Sequence, residues 1–71
     1  MKDIKEIFKD RLIELMQEKG LNTISLGKET GIPSSSISNW IQMRRTVNVE
    51  SVIILASFFG CTTDYLLGLE N

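Results

Sequence analysis

The sequence predicts an all-α fold built from five short helices, and three observations predict it. Apolar residues recur at three- and four-residue steps along the chain, the period of helices, and no run of four or more alternates as a strand would. Each periodic stretch opens on an Asn, Thr or Pro-Ser signal or closes on glycine, residues that start and stop helices. The length of 71 residues, with 42% apolar and 24% charged residues, suits a single globular domain.

Ile4, Ile7, Phe8, Leu12, Leu15 and Met16 form one stripe of a first helix, which Gly20 closes. Asn22 caps a second helix over 23–30, ended by Gly31. Pro33 and the serines behind it open a third, running to about Gln42. Proline suits that place because the first helical N–H groups have no intrahelical partner to lose. Asn48 caps a fourth helix, with Glu50 near its positive end and Gly60 closing it. Thr62 or Thr63 caps a last short helix from Asp64 to Leu67.

Several function classes are excluded by what the chain lacks. It has no histidine, and the lone Cys61 has neither a histidine to activate it nor a second thiol to share a metal. Cys61 therefore reads as a small buried hydrophobe. The five glycines are scattered singly, so no phosphate-cradling loop exists. The chain is not expected to be an enzyme, and no cofactor, metal or small-molecule ligand is expected. Its most apolar stretch, Val52 to Cys61, falls far short of the roughly 20 residues that span a bilayer. Charges stand where a signal peptide needs its apolar core, so no membrane partner is expected and the location is cytoplasmic.

The middle of the chain is the most informative. Leu26 and Gly27 are followed by Gly31, Ile32, Ile37 and Trp40. Gly27 inside a helix costs about 1 kcal/mol relative to alanine, which calls for a packing reason such as another helix crossing too closely for a side chain. Gly31 suits a sharp turn with positive φ. Ile37 and Trp40 then lie on one face, pointing back at Leu26, and that phase makes Trp40 a core residue. Two short helices meeting steeply across a glycine turn make a helix-turn-helix, here about 23–42.

These positions, in order, resemble the lambda-repressor-like, Cro/CI-type (XRE-type) helix-turn-helix family. The resemblance runs from Phe8 to Leu69. It includes Arg11-Leu12, Glu18-Lys19-Gly20-Leu21, Gly31-Ile32, Ile37-Ser38-Asn39-Trp40, Arg44-Arg45, Phe58-Phe59-Gly60 and Asp64-Tyr65-Leu66-Leu67-Gly68. It implies a compact five-helix domain covering residues 1–71 that binds double-stranded DNA as a dimer, its third helix in the major groove. It further implies a transcriptional regulator, a repressor of phage or bacterial type. Three departures stand out: Thr23 where relatives carry a phosphate-bracing glutamine, Met43 where a glycine is usual, and Ile41 where an acid often pairs with an arginine of the first helix. Arg11 is thus expected to find another partner, either carbonyls at a helix end or Asp64.

By the same resemblance Ser34, Ser35 and Asn39 reach base edges. Asn39 suits an adenine edge, and Ser34 fits capping of its helix equally well. Asn22, Thr23, Ser36, Gln42, Arg44 and Arg45 are expected at phosphates, which position without specifying. Charge agrees: residues 21–49 hold Lys28, Arg44 and Arg45 against Glu29, while residues 50–71 hold three acids and no base. Glu6, Asp10, Glu14 and Glu18 make an acidic stripe on the first helix, read as a solvated face turned away from DNA.

The fourth helix is apolar on nearly every side, and Ile54 and Phe58 fall four apart on a face that the core does not need. They are expected to form the contact of a weak homodimer. The alternative function is an antitoxin-like or anti-repressor module using the same fold to bind a protein, which the acidic balance favours. The polar outer face of the third helix favours DNA.

Overall fold

The computed structural model describes residues 3–70, and these form five helices: α1 (Ile4–Lys19), α2 (Thr23–Thr30), α3 (Ser34–Ile41), α4 (Val49–Phe59) and α5 (Thr63–Leu67). No strand occurs among the described residues. α1 is the long axis of the packing, with α3 and α5 against it; α2 packs on α3 and touches α4, which in turn holds α5. The extents are 32 × 25 × 22 Å.

The core follows from helical period. Phe8, Leu12 and Met16 repeat at four-residue steps along α1 and are buried. The outer members of the expected stripe are less enclosed: Ile4 is exposed and Leu15 only packs on the core's edge. Phe8 meets Trp40 edge to face at 5.9 Å, which fastens α3 to α1. Leu26, Ile37, Leu55 and Leu66 bring the remaining helices into the same cluster.

The expected caps are present. Asn22 and Ser25 form a reciprocal capping box at the start of α2. Asn48 accepts from the Ser51 N–H, and Thr62 rather than Thr63 caps α5. Gly31 turns the chain with φ 79°. The close approach at Gly27 comes from the turn itself: a Cβ there would lie 2.8 Å from the Ile32 carbonyl oxygen.

Two expectations need correction, and a third is refined. Pro33 stands just outside α3 rather than in its first turn, because its backbone is extended (ψ 134°) while its carbonyl accepts the first helical N–H groups, those of Ser36 and Ile37. Cys61 is half-buried, not buried, since it follows the closing Gly60 at the helix edge. Burial still pushes its thiol pKa up, the opposite of activation. Arg11 donates to the carbonyls of Tyr65 and Glu70, the latter at 2.6 Å, and its guanidinium lies 4.4 Å from the centre of the Tyr65 ring. The carbonyls, not the Asp64 carboxylate, are thus the partners of Arg11.

Candidate nucleic-acid interface

α3 is amphipathic in a way its sequence dictates. Ile37 and Trp40 are buried. At 100° per residue, Ser35, Asn39 and Gln42 fall within about 60° of one another on the opposite side. Ser34, Ser35 and Gln42 are exposed, and Ser36 and Asn39 are half-buried. α3 has no side-chain cap, so the capping role considered for Ser34 is not taken up. Pro33 fills the cap position and has no oxygen on its side chain, which leaves the serine hydroxyls to the outside.

The basic pair is tied to this helix by backbone geometry. Met43 turns into the left-handed region at φ 59°. Its N–H donates to the Trp40 carbonyl at 3.1 Å, and the Arg44 N–H to the Asn39 carbonyl at 2.9 Å. This paired closure is the one usually made with glycine, and it starts Arg44 and Arg45 directly off the last turn of α3. Both arginines are exposed, and among the described residues neither joins an ion pair.

Asn22 and Thr23 stand at the start of α2, Asn22 exposed and Thr23 half-buried. The Asn22 side-chain oxygen accepts from the Ser25 N–H at 2.8 Å, so it is occupied by capping. What the start of α2 offers to an anion is therefore the positive end of the helix more than that oxygen.

Two residues join the surface without having been singled out by sequence. Ser38, half-buried, accepts from Gln42 Nε2 at 3.2 Å and so steers that amide. The signal for it was the four-residue spacing, which puts both on one side of α3. Lys28, exposed, borders a cleft of about 390 Å³ that it shares with Gly31, Pro33 and Ser34 beside the start of α3. Its place in the charge count was visible, but the cleft was not.

Ile54 and Phe58 do not stand clear of the core as expected. Both are half-buried and pack against it, Phe58 edge to face with Phe59 at 5.0 Å and with Lys19 Nζ 5.6 Å from its ring centre. The large side chains that α4 leaves exposed are Val49 and Ile53. Lys19, at the end of α1, and the neighbouring Phe59 ring lie against Phe58.

No described helix is long and apolar enough to cross a membrane. No curated protein and no solved structure gives a significant match to the chain. A family model described as helix-turn-helix matches residues 12–66, well over half of the sequence. With five helices, a glycine turn before an amphipathic α3 and a basic pair after it, the chain belongs to the Cro/CI-type (XRE-type) helix-turn-helix family and is a DNA-binding regulator of that type.

Proposed function

We propose that residues 1–71 act as one helix-turn-helix domain, the motif itself about 23–42, that represses transcription in the cytoplasm by inserting α3 into the major groove of an operator. The observation that carries this reading is the outer side of α3. It is polar at Ser35, Asn39 and Gln42 and continues into the exposed Arg44 and Arg45, while its apolar residues are spent on the core. Ser34, Ser35 and Asn39 read base edges; a carboxamide paired with adenine is worth about 1–3 kcal/mol of discrimination. Asn22, Thr23, Ser36, Gln42, Arg44 and Arg45 engage phosphates, and release of counterions there supplies sequence-independent affinity. A protein-binding α3 would carry apolar residues on that side, and it carries none among these positions.

Two copies bind two half-sites, with the third helices about 34 Å apart. The outer edges of Ile54 and Phe58 give this dimer a small contact, so assembly is concentration-dependent and completed on DNA. The test is a salt titration of duplex binding with three variants. Arg44→Ala and Arg45→Ala weaken all sequences about equally and flatten the salt slope, whereas Asn39→Ala erases preference at one position per half-site. Binding that ignores salt, or arginine changes that alter sequence preference while Asn39→Ala does not, would overturn it.

A further inference from the structure

We propose that the groove between α4 and α5 docks an amphipathic, positively charged segment of another protein. The groove encloses about 250 Å³ and is walled by Val47, Val49, Val52, Ile53, Thr63 and Leu67. Val49 is 77% exposed and Ile53 56%. They stand one turn apart on α4, at the edge of a space whose other walls are apolar except for Thr63. Single exposed apolar residues are ordinary on any surface. Two large ones bordering an apolar groove form a contiguous patch, which marks contact with another molecule.

Charge selects the occupant. Glu50 follows Val49 on α4, and Asp64 follows Thr63 on α5; both are exposed. Residues 46–71 carry three acids and no lysine or arginine. DNA phosphate is repelled from a segment of this sign. A second copy docked about a twofold axis would set the same patch against itself. Glu50 and Asp64 would then face acids, with no cation from residues 46–71 to pair them. A helix with two apolar side chains at i, i+4 and Lys or Arg on either side satisfies both the groove and the acids that adjoin its walls in sequence. The apolar pair supplies affinity, and the charges supply steering and specificity. This surface lies on the other flank of α4 from Ile54 and Phe58 and does not include α3, so it stands whether or not the DNA reading does.

The test titrates the full chain, labelled for amide spectra, with a synthetic Leu/Lys amphipathic helical peptide and with its Leu/Glu counterpart. The expected result is shift changes centred on Val49, Ile53, Thr63 and Leu67 with the Lys peptide, and binding at least about tenfold weaker with the Glu peptide. Ile53→Ser weakens the Lys peptide about tenfold while the melting temperature holds. The double change Glu50→Lys with Asp64→Lys weakens it about tenfold as well, with a lowered melting temperature because both acids stand in the first turns of their helices. Shifts confined to the acidic stripe of α1, or equal binding of both peptides, would overturn the proposal. Concentration-dependent shifts at the groove in the protein alone, with sedimentation as a dimer, would assign the groove to a second copy and overturn it equally.

Discussion

α3 and the other four helices are held by different means. α1, α2, α4 and α5 each begin with a side chain that accepts a backbone N–H, and each ends on a glycine in the left-handed conformation. α3 begins at Pro33 with no side-chain cap and is followed by Met43 at φ 59°. The four carry their start and stop signals locally. α3 is eight residues long, too short to persist in water alone. Its shape is imposed by burial of Ile37 and Trp40 between α1 and α2, through the Phe8 ring above all. The difference is instructive because α3 is the proposed reading helix. Serines used as caps would have their hydroxyls occupied by backbone N–H groups, and the absence of that bond leaves the hydroxyls of Ser34 and Ser35 free of a helix cap.

The largest expected effect follows from that dependence. Trp40→Ala removes the side chain that holds α3 to α1 and should cost about 3–5 kcal/mol, enough to unfold much of a domain this small. Urea denaturation followed by circular dichroism measures it; a loss near zero would mean that α3 is stable without its packing.

Next comes Arg11→Met, which keeps the aliphatic stem and removes the donors to the Tyr65 and Glu70 carbonyls. A loss of about 2 kcal/mol is expected, since hydrogen bonds to charged groups exceed neutral ones. A neutral or stabilising melt would show that the guanidinium is better replaced by apolar packing.

The capping contrast itself is tested by a pair. Asn48→Ala should destabilise by about 1 kcal/mol through loss of the bond to the Ser51 N–H, whereas Ser34→Ala should leave the melting temperature nearly unchanged. Equal losses would mean that the hydroxyl of Ser34 caps α3 in solution.

The smallest effect has the opposite sign. Met43→Gly relieves a left-handed conformation that costs a side chain roughly 1 kcal/mol, less the entropy that glycine adds to the unfolded chain, so a gain of several tenths is expected. The midpoint of urea unfolding, at constant slope, reports it. A net loss would indicate that Met43, 41% exposed, contributes more by packing than its conformation costs.

Much of this architecture was legible in the sequence because its causes are local. A cap acts on residues within four positions, and a glycine stop acts on its own φ, so the limits of α2, α4 and α5 could be read to within a residue. The need of Arg11 for a partner was equally readable from its place between Phe8 and Leu12 and from Ile41 at the family's acid position. Which of the two expected partners it takes, carbonyls at a helix end or Asp64, was not, because Tyr65 and Glu70, whose carbonyls accept it, lie more than fifty residues away along the chain.

α4 marks the boundary between the two kinds of information. Its period alone allowed several apolar stripes, since Val49-Glu50-Ser51-Val52-Ile53-Ile54-Leu55-Ala56-Ser57-Phe58-Phe59 is apolar nearly all round. The sequence by itself determined that this segment is a helix and where it starts and stops. Only the tertiary structure decided that Ile54 and Phe58 are half covered while Val49 and Ile53 stay open. Hydrogen bonds that end a helix are made within one turn of it. The covering of its flanks is done by other helices, α5 and α2 among them, whose positions depend on how the whole core closes.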